Sequence, residues 1–121
     1  FFYLEFITFA TMTNEEINAK ANELSIKHNV RVHPLLFKVK EGEPVVGFLK
    51  EPPRFVKLKV MDKALISPVS AASEIVDAYL IKEESDARIY TESAENDVYY
   101  IGAAMEAYNL IQVAVNQLKK N

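Results

Sequence analysis

The chain has 121 residues, half of them apolar and 26% charged, with a formal net charge of −3, no Cys and no Trp. That length suits one domain with a modest core, and that balance excludes disorder as the general state. Without Cys there is no disulfide, no thiolate nucleophile and no Cys-type zinc site. A net negative chain with scattered Lys and Arg has no general pull toward nucleic acid or an anionic membrane.

Residues 1–12 form an apolar extension. Phe1, Tyr3, Glu5, Ile7 and Phe9 alternate with Phe2, Leu4, Phe6 and Thr8, so a strand here would be apolar on both faces and need cover on both. The run is too short to span a bilayer and is interrupted by Glu5. Met12-Thr13 reads as a start followed by a helix cap. Residues 1–11 are therefore expected either as an addition to the natural chain or as an extra strand. Residues 13–121 are expected as one α+β domain.

Thr13 with Glu16 three positions on predicts a capped helix that ends at Asn29. Ile17, Ala21, Leu24 and His28 fall on one stripe of it. Val30 to Lys50 predicts a hairpin: Leu35, Phe37 and Val39 alternate with Leu36, Lys38 and Lys40, and Glu41-Gly42-Glu43-Pro44 turns the chain. Gly42 is expected at positive φ. Gly47 signals a bulge or a close approach, and Pro34 a strand start or an edge. After Pro52-Pro53 a helix of about three turns is expected, with Phe55, Leu58, Met61 and Leu65 as its inner face. Ser67-Pro68 starts another, which carries Ala71, Ala72, Ile75, Val76, Tyr79 and Leu80 inward and stops near Lys82. The polar stretch after it is expected as a loop, extended at Arg88-Ile89-Tyr90. From Val98 onward a long helix is expected. One of its faces carries Val98, Ile101, Met105, Tyr108, Ile111 and Val115, and a second carries Tyr100, Ala104, Ala107, Leu110 and Ala114. The whole predicts an α+β fold: a two-stranded antiparallel hairpin with about four helices, the last one longest.

Chemistry-bearing patterns are sparse. No phosphate-cradling glycine loop and no nucleophile elbow occurs. The two histidines, His28 and His33, do not share a helical face. An enzyme would require a cleft joining His28 or His33 to a carboxylate. Glu83, Glu84, Asp86, Glu92, Glu95 and Asp97 read as solvated surface. No catalytic residue, metal site or cofactor is expected. Lys50, Arg54, Lys57 and Lys63 form a basic concentration that a nucleic-acid-binding regulator would use as one exposed face. Phe48, Phe55, Tyr99, Tyr100 and Met105 are the aromatic and sulfur-bearing residues expected at a protein interface. Two apolar faces on the last helix ask for more cover than one thin layer supplies, so a homo-oligomer, at least a dimer, is expected through Val98 to Leu118.

One segment carries a family likeness. Phe48-Leu49-Lys50-Glu51-Pro52 follows the hairpin as an aromatic-basic-x-Pro element. Pro68, Ala72, Glu74-Ile75-Val76 and Ala78-Tyr79-Leu80-Ile81 follow in order, and a terminal helix ends in Gln117-Leu118-Lys119-Lys120-Asn121. In these features Phe37 to Asn121 resembles small bacteriophage and prophage proteins of the tail-assembly-chaperone type. Tyr79 stands where relatives tend to have Cys, and Glu83-Glu84-Ser85-Asp86 where they often have Gly-Gly-Asp. The resemblance implies a non-enzymatic protein of the bacterial host cytoplasm, with no membrane association, that binds a phage tail structural protein during assembly. The alternatives are a small nucleic-acid-associated regulator from mobile DNA and a bacterial interaction protein of another role.

Overall fold

In the computed structural model, residues 12–119 are described, with side chains to Gln112. The strand or added segment expected over residues 1–11 lies outside the described residues. The first helix, α1 (Asn14–His28), begins as its cap dictates: Thr13 Oγ1 accepts from the Glu16 amide and the Glu16 carboxylate accepts from the Thr13 amide, both at 3.1 Å. It ends at Asn29, whose backbone is left-handed at φ 53°, a conformation that Asn tolerates better than most residues.

Strands β1 (Val32–Lys38) and β2 (Pro44–Lys50) pair antiparallel in a register running from Val32 opposite Lys50 to Lys38 opposite Pro44. At the turn the residue at positive φ is Lys40 (55°), not Gly42. Gly42 serves there by lacking a Cβ, which would stand 3.0 Å from the Val39 carbonyl oxygen. Gly47 marks a close approach rather than a bulge: the register is continuous, and a Cβ at Gly47 would meet Ile89 Cδ1 at 3.0 Å. Pro34 sits inside β1, opposite Phe48. A two-stranded sheet leaves β1 an edge, so its missing N–H breaks no ladder.

The hairpin separates two cores. Alternation sends Val32, Val46 and Phe48 to one face, where they meet Ile17, Ala21 and Leu24 of α1 together with Ile81. Leu35, Val45 and Leu49 go to the other face and pack with the remaining helices. These are α2 (Arg54–Ala64), α3 (Pro68–Tyr79), the single turn α4 (Ala87–Tyr90) and α5 (Asp97–Lys119), with short 3₁₀ turns at Lys82–Glu84 and Ala94–Asn96. Arg88-Ile89-Tyr90 is thus helical rather than extended, and α3 stops at Tyr79, three residues before Lys82.

The outer edge of β2 is closed by the segment after α3. Ile81 N–H donates to the Phe48 carbonyl (2.8 Å), Asp86 N–H to that of Val46 (2.9 Å), and Phe48 N–H to Ser85 Oγ (3.0 Å). With both faces and this edge covered, Val45 to Leu49 is buried without interruption. Asp86 departs from the expected solvated surface. It is 7% exposed, caps α4 through the Arg88 amide, and holds the Arg88 guanidinium at 2.7 and 3.1 Å.

α3 packs against both α2 and α5. It buries Ala71, Ala72, Ile75 and Val76. Ala103, Ala104 and Ala107 are the fully buried residues among the described side chains of α5, and small side chains there let the two helix backbones come close. A Cβ at Gly102 would run into the edge of the Phe37 ring, so this glycine lets α5 seat on β1. α5 therefore turns its small residues inward and leaves Val98, Ile101 and Met105 about half exposed.

Candidate functional site: the outer face of α2 and the cleft beneath it

α2 faces the opposite way from the sequence expectation. Val60 is its buried residue, with Val56 and Ala64 half-buried beside it. Phe55, Leu58 and Leu65, expected inside, are 68%, 55% and 86% exposed. The segment is apolar around most of its circumference, so periodicity allowed more than one orientation. The face bearing the smaller side chains fits against α3. Ile66, at 87% exposure, and Val69 extend the exposed patch through the turn into α3. Phe55, Leu58, Leu65 and Ile66 thus put four large apolar side chains in solvent along the outer side of α2 and into the turn after it, with Asp62 between the two pairs, an exposure of the kind that marks interaction sites.

The residues expected at an interface divide. Phe48 is fully buried in the α1 core. It is a core residue and not a contact, because Phe48 shares the sheet face that α1 covers. Tyr99 lies under the Arg88 guanidinium, 4.5 Å from its ring centre. Tyr100 donates its hydroxyl to Asp77 Oδ1 at 2.8 Å, tying α5 to α3. Burial and the neighbouring Asp77 carboxylate push the Tyr100 hydroxyl up, against a smaller opposing effect of its contact with Ser73. Phe55 and Met105 face solvent from different helices.

The basic residues do not assemble one exposed face. Lys57 is paired with Glu51, and Lys63 with Glu74 at 2.6 Å. Arg54 and Lys63 are about two and a half turns apart, on opposite sides of α2. Lys50 is half-buried at the end of β2. Arg54 and Lys59 flank the apolar face without an ion-pair partner among the described residues.

Beneath α2 lies a cleft of about 400 Å³ that the sequence did not announce. The hairpin register builds its polar end. Arg31 stands opposite Glu51, with the Glu51 amide donating to the Arg31 carbonyl at 2.8 Å, and His33 stands opposite Leu49. All four side chains therefore leave the same face of the sheet. His33 Nε2 bonds Glu51 Oε1 and Lys57 Nζ bonds Oε2, so each carboxylate oxygen has a partner. Burial raises the Glu51 pKa, but the bonds and charges of Lys57 and His33 outweigh it and hold this carboxyl below its ordinary value. The other walls are Pro52, Val60, Met61, Ile75, Ala107, Leu110 and Ile111.

His33 and Glu51 thus meet the condition of a histidine joined to a carboxylate in a cleft. No hydroxyl or thiol side chain is among the lining residues, and Glu51 is locked from both sides. His28 is elsewhere, near the end of α1, with its Nε2 buried and without a hydrogen-bond partner among the described residues. Among the described residues no three His, Asp or Glu side chains converge as a metal site, and no helix is long and apolar enough to cross a membrane. The useful missed signal was cross-strand pairing: once the turn is centred on Val39 to Glu43, Arg31, His33, Leu49 and Glu51 must share a face.

No family model, no curated protein and no solved structure matches the chain.

Proposed function

We propose that this protein is a non-enzymatic interaction module that docks a partner protein on the outer face of α2 and the turn into α3. The observation that carries this is the exposure of Phe55, Leu58, Leu65 and Ile66 along the outer side of α2 and into the turn after it. Charge narrows the partner. Lys57 and Lys63 are paired with Glu51 and Glu74, but Arg54 and Lys59 flank the apolar side chains of α2 without an ion-pair partner among the described residues. The complementary surface is an apolar segment with acidic flanks, its charges steering encounter and its apolar residues supplying affinity. The resemblance of residues 37–121 to phage tail-assembly chaperones makes that partner a tail structural protein, met in the bacterial host cytoplasm. In the same reading the chain self-associates through the outward stripe Val98, Ile101 and Met105. The nucleic-acid reading draws no support from the arrangement of Lys50, Arg54, Lys57 and Lys63.

The experiment is capture of tail structural proteins from phage-bearing cells by the wild-type chain and by Leu65→Glu/Ile66→Glu. Both positions are so exposed that the variant should melt with the wild type while capture is lost. Equal capture by both proteins would remove α2 as the docking face. Capture of no tail component would remove the phage reading.

A further inference from the structure

We propose that the cleft beneath α2 is a binding site for an aliphatic carboxylate, a site separate from the outward face of the same helix. Its size comes first: about 400 Å³ lies within the range of small-molecule sites. Its lining is apolar along the body, with Leu49, Val60, Ile75, Leu110 and Ile111, and polar at one end only. A ligand that fits has a hydrocarbon chain and a single polar head.

The polar end selects the sign of that head. Glu51 is the acidic side chain of the lining, and His33 and Lys57 each bond one of its oxygens. A cationic head would meet a carboxylate whose charge Lys57 already balances, beside the further cation Arg31. The donors are in surplus. Arg31 has no ion-pair partner among the described residues, and Lys57 keeps N–H groups beyond the one it gives to Glu51. With Glu51 balancing one of the two permanent cations, the end carries about one net positive charge, which suits a monoanion. A dianionic phosphate would bring a second negative charge toward Glu51. The planar guanidinium of Arg31 matches a carboxylate through two parallel hydrogen bonds.

The hydrocarbon displaces water from apolar walls while the head stays at the exposed mouth, where Arg31 and Lys57 reach it. The head is thus never stripped of partners. Lys57 plays two parts. It ties α2 to the hairpin through Glu51 and presents charge to the ligand.

The test titrates the isotope-labelled full chain with decanoate, decanol and decyltrimethylammonium, each below its micelle concentration, and follows amide shifts. Decanoate should shift Leu49, Ile75, Ala107 and Leu110 saturably at one site. Decanol should bind about tenfold more weakly, the loss expected when a charge-assisted pair worth roughly 1.5 kcal/mol is missing. Arg31→Glu, at an exposed position, should keep the wild-type melting temperature and lose decanoate binding by at least that factor. Leu110→Trp should block the chain's path and abolish shifts from both decanoate and decanol. Leu65→Glu, which cripples the outward face, should leave decanoate binding unchanged. Equal affinity for decanoate and decanol, preference for the quaternary ammonium, or no saturable shift with any probe would each overturn the site.

Discussion

α2 and α3 are neighbours of nearly equal length, joined by a short turn, yet they are used in opposite ways. α3 has a helix on either side and the sheet beneath, and it buries four residues, two of them alanines that let α5 approach. α2 has α3 on one side and the cleft below, and it buries Val60 alone. It is held by Val60, with Val56 and Ala64 beside it, and is tied at its margins by Lys57 to Glu51 and Lys63 to Glu74. A helix held at its margins is free to spend its largest apolar side chains on solvent, where a partner meets them. The lesson is that apolar content alone does not tell a structural helix from a presenting one; the number of sides that are covered does.

The contrast breaks most sharply at Ile75. Truncation to Ala in the middle of α3 should lower stability by about 2–5 kcal/mol, read by chemical denaturation. A loss under 1 kcal/mol would mean that α3 is not the covered helix described. Val60→Ala, at the inner contact of α2, should cost about 1–2 kcal/mol, the value of two buried methyl groups. If it matched Ile75→Ala, the two helices would be equally structural.

The ties come next. The folded Glu51 carboxyl titrates below its ordinary 4.5. Its contribution to stability is therefore fully present above that value and lost as pH falls through the lower folded one. A carboxyl titration followed by NMR should place Glu51 below the exposed glutamates, and Glu51→Gln should flatten the acid limb of the stability curve. A Glu51 midpoint at or above those of the exposed glutamates would sink the tie. Lys63 and Glu74 are both largely exposed, so a double-mutant cycle should return about 0.2–1 kcal/mol; a larger coupling would make this pair structural in its own right.

The smallest effect on stability is expected at Phe55. Phe55→Ala should change it by no more than about 0.5 kcal/mol, as for a surface position, while weakening partner capture. A large loss of stability would show that Phe55 is packed and not presented. On α5, Ile101→Glu should likewise leave melting unchanged and shift light-scattering mass toward 13.7 kDa. Unchanged mass would remove the outward stripe as the site of self-association.

Local chemistry was legible wherever neighbours in sequence are also the partners in space. Thr13 with Glu16 determined the start of α1, Asn29 its end, Pro68 the start of α3, and the alternation around a Gly- and Pro-bearing turn determined the hairpin. The α+β class followed from those signals, as did the length of α5. Phe55 carried two readings, inner face and interface residue, while Leu58 and Leu65 were read as inner face; all three are exposed. The segment from Arg54 to Ile66 is apolar on most sides, and only α3, packed against Val56, Val60 and Ala64, decides which side is inside. The same holds for α5: its two apolar faces are equivalent in pattern, and close approach to α3 and Phe37 selects the one with Gly102, Ala103, Ala104 and Ala107. Phe48 looked available until α1 closed over its face of the sheet. The His33–Glu51–Lys57 cluster joins residues distant in the chain. It exists only because the strand register puts the first two on one face and α2 carries the third above them. Sequence by itself thus determined the capped and periodic segments, though not the helical turn at Arg88-Ile89-Tyr90, since caps, turns and periodicity act within a few residues. In α2 and α5, apolar on more than one side, the tertiary structure alone decided which face is buried, because there burial is settled by the shape of whatever packs opposite.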